Sequence, residues 1–108
     1  MRYAGYGGFD MQFQKIGFIG LGLIGGSIAK RLKALYNDVT IIAVAGCAST
    51  IEEAYAQGLI ANAAPCSIDD FYDCDYIFLC TPVQKNIEYL RRLKGNINER
   101  CIITDVGS

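Results

Sequence analysis

Gly20, Gly22 and Gly25 stand in the spacing Gly-x-Gly-x-x-Gly, directly after the apolar run from Ile16 to Ile19 and directly before an amphipathic stretch. The chemistry such a pattern serves is carried by the backbone. A first glycine allows a tight turn out of a strand. A second lets the main chain approach a diphosphate with no Cβ in the way, and a third lets the following helix pack closely. The N–H groups at the helix start then point at the phosphates, and the helix dipole adds roughly 0.3–1 kcal/mol per exposed charge, up to about 2 when partly buried. That electrostatic gain is small. The backbone shape across Gly20, Leu21, Gly22, Leu23, Ile24 and Gly25 must therefore supply most of the selectivity. The same spacing also serves as a purely structural turn. Its place between a strand and a helix, near the start of an alternating chain, is what favours a nucleotide.

Other reactive side chains are few. Cys47, Cys66, Cys74, Cys80 and Cys101 make an odd set of five without metal-ligand spacing, and the chain has no histidine. Neither a zinc site nor a cysteine nucleophile with a histidine base is expected. Cys80 and Cys101 lie in apolar runs, where a thiol behaves as a small hydrophobe, and reduced thiols point to a cytoplasmic setting. Asp69, Asp70 and Asp73 cluster, but read as solvated groups or as groups near helix starts rather than as a catalytic pair.

The 108 residues suffice for one domain, and a hydrophobic fraction of 52% supports a packed core. Ten basic residues against eleven acidic ones leave a net charge of −1, with no basic stripe for nucleic acid and no charged tail for an electrostatic partner. No apolar run reaches the roughly 18–20 residues that cross a bilayer, and Arg2 is not followed by the apolar stretch of a secretory signal.

The elements that must position these residues follow from periodicity and punctuation. Residues 1–14 read as a tail without period, with Met11 as an alternative start, and no function is assigned to it. Ile24, Ile28, Leu32 and Leu35 recur at helical spacing and predict a helix from about Leu23 to Tyr36. Val39 to Val44 is a buried strand. Ser49-x-x-Glu52 reads as a capping box opening a helix through Gln57, with Gly58 as its stop, and Ala61 to Ala64 as a brief third strand. Ser67 caps a short turn from Ile68 to Tyr72. Tyr76 to Cys80 is a strand broken by Thr81-Pro82. A helix from Val83 to Leu93 stops at Lys94-Gly95, and Cys101 to Thr104 is the last strand. Strands alternating with helices imply an α/β fold: a Rossmann-like, doubly wound parallel sheet of about five strands with right-handed crossovers. Such a sheet takes ligands at the carboxyl ends of its strands. Gly20–Gly25, Ala45–Thr50 (with Gly46 and Ser49) and Cys80–Val83 (with Thr81 and Pro82) should converge there, and Asp105–Ser108 should leave the same edge.

In this order, Gly20-Leu-Gly-Leu-Ile-Gly-Gly-Ser27, Gly58-Leu-Ile60, Cys80-Thr-Pro-Val83 and Thr104-Asp-Val-Gly-Ser108 resemble the N-terminal domain of prephenate and arogenate dehydrogenases, over about Lys15 to Ser108. The resemblance implies hydride transfer from the substrate ring to nicotinamide with loss of carbon dioxide, giving 4-hydroxyphenylpyruvate or tyrosine. It implies that Gly20, Gly22 and Gly25 cradle the pyrophosphate and that Cys80, Thr81 and Pro82 line the ribose–nicotinamide side. It also implies that Ser108 approaches the substrate hydroxyl. Thr81-Pro82 also reads as a plain loop breaker, and Ser108 as a turn residue.

Two departures from the family pattern matter. Ala45 occupies the position at the end of the second strand where an acid usually grips the adenosine ribose of NAD. Without that acid a 2′-phosphate is no longer repelled, and Ser49, Thr50 and the following helix start offer hydrogen bonds to one. No arginine is near and Glu52 and Glu53 oppose it, so the reading tilts only narrowly to NADP over NAD. The family's catalytic histidine and substrate-binding arginine follow the Asp-Val-Gly-Ser motif, where this chain stops. Residues 15–108 are therefore expected to be the dinucleotide-binding domain of a larger two-domain enzyme, without the helical domain that closes the cleft and forms the homodimer. Such a chain should bind cofactor weakly and turn over nothing alone. Other readings are a hydroxyacid or imino-acid (pyrroline-carboxylate) reductase, against which the Gly25-Gly26-Ser27 step argues, and a non-catalytic nucleotide-sensing module. An S-adenosylmethionine-binding methyltransferase fold is a further one, whose loop usually lacks the third glycine.

Overall fold

Lys15–Ile19 forms β1, four of whose five residues are buried. A strand covered on both faces belongs in the middle of a sheet, and β1 is central. With β2 (Thr40–Val44), β3 (Tyr76–Leu79) and β4 (Ile102–Asp105) it makes a sheet of order β2-β1-β3-β4 in which every neighbouring pair is parallel. The computed structural model describes residues 14–64 and 66–106.

Period-two alternation sends side chains to two cores. On one face Ile16, Phe18, Ile41 and Ala43 pack against Ala29 of α1 (Gly22–Leu35) and Ile51 and Ala54 of α2 (Ala48–Ala56). On the other, Ile19, Ile42, Ile77 and Leu79 pack against Leu93 of α3 (Val83–Leu93) and against Ile68 and Phe71 of a 3₁₀ turn, Ile68–Phe71. Burying a side chain such as Phe18 or Phe71, both fully enclosed, contributes about 1.5–3 kcal/mol. Gly17 makes room for this packing, because a Cβ there would overlap the Phe71 ring. Helices on both faces of a parallel sheet give the doubly wound arrangement expected. No helix among the described residues is long and apolar enough to cross a membrane.

Several boundaries follow the sequence closely. The third helix runs from Val83 to Leu93 and ends at Lys94 before Gly95, whose φ is +85°. At the end of α2, Gly58 (φ +76°) lets Gly58 N–H reach Tyr55 and Leu59 N–H reach Ala54, a Schellman closure. Ser67 caps the 3₁₀ turn, its hydroxyl accepting from Asp69 N–H while Asp70 accepts from Ser67 N–H. Asp73 pairs with Lys15 at 2.5 Å, so this aspartate cluster caps and pairs.

Three expectations are corrected. The stretch from Ala61 to Ala64 forms no strand. Ala61 N–H donates to Ile41 C=O, and then the Asn62 carboxamide takes over from the backbone. It accepts from Ala43 N–H at 3.0 Å and donates to Ala43 C=O at 2.9 Å. One side chain thus satisfies the edge of β2 where a ladder was expected, and the described sheet has four strands. The Ser49-x-x-Glu52 capping box is absent. Cys47, in extended backbone, is the N-cap, so the helix starts at Ala48 and Ser49 lies inside its first turn. The α1 face is also turned. Ile24 and Leu35 are exposed, while Gly25 and Ala29, one turn apart, face the sheet and bring the helix close, with Ile28 and Leu32 half-buried beside them. The expected tail, residues 1–13 of it, lies outside the described residues.

Candidate nucleotide site

The carboxyl ends of β2, β1 and β3 are held in one line. Ile19 is in register with Val44 on one side and Leu79 on the other. The ladder continues past the strands: Gly20 N–H donates to Val44 C=O (2.7 Å), Cys80 N–H to Ile19 C=O (2.8 Å) and Val106 N–H to Leu79 C=O (2.9 Å). The glycine turn, the end of β2 and the Cys80–Thr81 corner are thereby brought together, as topology predicts.

The turn's three glycines differ in what surrounds them. Gly20 takes φ +89°, and a Cβ on it would lie 2.6 Å from the Thr81 methyl and 3.1 Å from the Cys80 carbonyl. Gly25 is pressed against the turn itself, a Cβ there lying 2.9 Å from the Gly20 carbonyl oxygen and 3.4 Å from Cys80 Sγ. The third glycine's close approach is therefore to the turn and the end of β3. Gly22 takes φ +35°, and a Cβ on it would meet nothing within 4 Å. It borders open space on the outer side of the turn.

Leu21, the N-cap of α1, buries its side chain in the core and supplies no side-chain cap, and no acid lies in the first turn. Among the described residues no side chain takes the leading N–H groups of the helix, and its first turn carries no negative charge. Leu23 is 91% exposed and Ile24 51%, two apolar side chains standing at the rim of the turn.

At the end of β2, Ala45 is half-buried against the core, and Gly46 and Ser49 are exposed at the start of α2. No carboxylate stands at Ala45, and the first turn of α2 holds no acid. Thr50 is half-buried there, its N–H on the Cys47 carbonyl. The Ser49 hydroxyl lies 2.9 Å from Cys47 Sγ. That hydroxyl, with the N–H groups of Ser49 and Thr50, lowers the Cys47 thiol below its usual 9.0. Cys80 behaves oppositely: burial, and secondarily Asp105, pushes it up to about 11. It is a protonated packing group under the turn.

Asn86 was not singled out by the sequence reading. It sits in the first half of α3 and is 1% exposed, the sole fully buried polar side chain among the described residues. Its Oδ1 accepts from Thr81 N–H (3.2 Å) and from the Thr81 hydroxyl, and its Nδ2 donates to Asp105 at 2.8 Å. The signal was present in its spacing: Asn86 and Leu93 lie two turns apart on the inward face of α3. Pro82 is exposed as the N-cap of α3, and Ser108 lies outside the described residues. A groove of about 630 Å³ lies elsewhere, between the second half of α3 and the β4 edge. Its lining, which includes Ile87, Leu90, Ile97, Cys101 and Ile103, contains none of the residues expected at the nucleotide site.

A parallel, doubly wound sheet with a glycine turn opening an uncapped helix at its carboxyl edge defines the Rossmann-like nucleotide-binding class. The chain belongs to the family of prephenate dehydrogenase nucleotide-binding domains, whose family model matches residues 28–108. It is 32% identical over 96 residues to a cyclohexadienyl dehydrogenase of Zymomonas mobilis, covering 89% of this chain and 33% of that protein. It is 33% identical over 90 residues to a prephenate dehydrogenase of Bacillus subtilis, covering 82% of this chain and 24% of that protein. Among solved structures, Synechocystis arogenate dehydrogenase superposes with a TM-score of 0.73 at 35% identity, covering 85% of this chain and 32% of the other. Prephenate dehydrogenase from A. aeolicus, in complex with hydroxyphenyl propionate and NAD+, superposes with a TM-score of 0.77 at 30% identity, covering 88% and 34%. The chain spans 33% and 24% of the length of these two curated relatives.

Proposed function

We propose that residues 15–108 form the dinucleotide-binding domain of an NAD(P)-dependent dehydrogenase that oxidatively decarboxylates prephenate or arogenate, a step of tyrosine formation. The observation that carries this reading is the open side of Gly22 next to the uncapped start of α1. A diphosphate needs backbone N–H donors and a missing Cβ at one place, and both occur here. The nicotinamide, when bound, accepts the hydride. The chain's own part is to bind and orient. Gly20, Gly22 and Gly25 with the intervening backbone of Leu21, Leu23 and Ile24 seat the diphosphate, and the exposed Leu23 and Ile24 side chains cover apolar ligand surface. Cys80, Thr81 and Pro82 border the nicotinamide ribose. Ser108 approaches the substrate hydroxyl. Names of the relatives support both the substrate class and the redox chemistry.

At the adenosine end, Ala45, Gly46, Ser49 and Thr50 offer hydrogen bonds and no carboxylate, which favours NADP narrowly over NAD. The A. aeolicus relative with NAD+ keeps NAD as the competing cofactor. We place the complete enzyme in the cytoplasm as a homodimer, completed by a substrate domain.

Titration calorimetry of the chain with NAD+ and NADP+, alongside Gly22→Ala, tests the reading. The parent chain is expected to bind at least one of them. In the variant a methyl enters the space reserved for the diphosphate, and affinity should fall about tenfold or more, while the positive φ costs only roughly 1–2 kcal/mol of stability. Circular dichroism should stay that of the parent. No binding by the parent, or equal binding by a folded Gly22→Ala, refutes the assignment.

A further inference from the structure

We infer that Asn86 is a positioning residue of the nucleotide site: its carboxamide ties Thr81, behind the Gly20 turn, to Asp105 at the end of β4, and so sets the floor on which the turn rests. This inference rests on the dinucleotide reading above.

A carboxamide taken out of water costs about 1–3 kcal/mol unless its hydrogen bonds are replaced. Asn86 is 1% exposed on a helix face that otherwise packs through Leu93. A leucine in its place would pack α3 with no polar group to satisfy. The amide instead links three elements, and its orientation is unambiguous. Thr81 N–H can only donate and the Asp105 carboxylate only accepts, so Oδ1 faces Thr81 and Nδ2 faces Asp105.

The Thr81 hydroxyl has one proton, and Asn86 Oδ1 takes it. With the hydroxyl turned towards α3, the Thr81 methyl lies where it backs Gly20, 2.6 Å from the position a Cβ there would occupy. The carbonyl of Gly20 in turn backs Gly25. Beyond the β3–β4 ladder, which ends with Val106 N–H on Leu79 C=O, the Asn86 carboxamide links the end of β4 to the Thr81 side chain, and so to the turn whose N–H groups would meet the diphosphate. Glycine-rich backbone has little stiffness of its own. A rigid neighbour must hold it, and Thr81 does so only while its rotamer is held.

The test measures affinity for NAD+ and NADP+ by calorimetry on the chain, with thermal melting to restrict comparison to temperatures where each variant is folded. Asn86→Leu keeps an apolar helix face but frees the Thr81 rotamer. Asn86→Asp keeps the acceptor for Thr81 and sets a second carboxylate against Asp105. Both should bind about tenfold more weakly than the parent. The exchanged pair Asn86→Asp with Asp105→Asn restores one donor and one acceptor across the same contact, and should return affinity to within about threefold of the parent. A merely structural residue would let affinity follow the melting temperature, without recovery in the exchanged pair. If Asn86→Leu does not fold, Asn86→Asp and the exchanged pair decide. Parent-like affinity in folded Asn86→Asp, or no recovery on exchange, overturns the inference alone. Failure of the parent to bind either dinucleotide overturns the reading beneath it.

Discussion

In dinucleotide-binding sheets of this kind, one side chain at the end of the second strand decides what a sugar hydroxyl meets. A carboxylate there accepts from both ribose hydroxyls and repels a phosphate ester at the 2′ position. Ala45 does neither, and two residues on, the Cys47 thiol is held below its usual range by the Ser49 hydroxyl and the N–H groups after it. In the NADP reading proposed above, those same donors would meet the 2′-phosphate. Ala45→Asp is therefore expected to move the NAD+/NADP+ affinity ratio towards NAD+ by about tenfold or more, the scale of one charge-assisted hydrogen bond gained and one repulsion added. Ala45 is half-buried, so a modest loss of melting temperature should accompany the change. An unaltered ratio in competition titrations would move the discriminating position elsewhere.

Among the elements, the edge of β2 is closed by a side chain. Asn62 holds both the N–H and the C=O of Ala43, and its Nδ2 also reaches the Ala64 carbonyl at 2.9 Å. Asn62→Ala leaves the Ala43 N–H without that partner, while Cys66 Sγ still reaches the carbonyl at 3.3 Å. The expected cost is about 1–3 kcal/mol, read as a lower urea midpoint at unchanged slope. This bridge also explains why the stretch was misread. An amide that substitutes for a backbone ladder leaves no period in the sequence to detect. The same limit hid Asn86, because a polar residue in a helix reads as solvated until its face is known. It also turned α1, where the small Gly25 and Ala29 set the contact and the larger Ile24 and Leu35 were taken for it. Legible features were those with a local steric cause. Positive φ at Gly20, Gly58 and Gly95 marks turns and helix ends, the Pro82 break starts α3, and the buried runs of β1 and β2 define the centre of the sheet. The glycine turn was readable for that reason. The network behind it joins residues far apart in sequence and needed the fold.

For the molecule as a whole, the thiols tie stability to alkaline pH. Burial pushes Cys74 up to about 12 and Cys80 and Cys101 up to about 11, against 9.0 for an ordinary thiol. Above pH 9 an unfolded chain releases these protons and the folded one keeps them. The unfolded state then binds fewer protons, and stability falls as pH rises from about 9 towards 11–12. Under reducing conditions the urea midpoint should drop between pH 8 and pH 10, and less steeply in Cys74→Ala; identical slopes in the two proteins would exclude this origin.

The strand order has its own consequence for how the molecule comes into being. In the chain β1 comes before both strands that flank it, β2 on one side and β3 on the other, so it waits unfinished until Tyr76–Leu79 has been synthesised. Gly20 gains its backing only when Thr81 arrives, Thr81 meets its partner Asn86 only as α3 follows, and that carboxamide meets Asp105 last. The glycine turn thus precedes in the chain the residues that back it, and it is completed only after β3, α3 and β4 have been made.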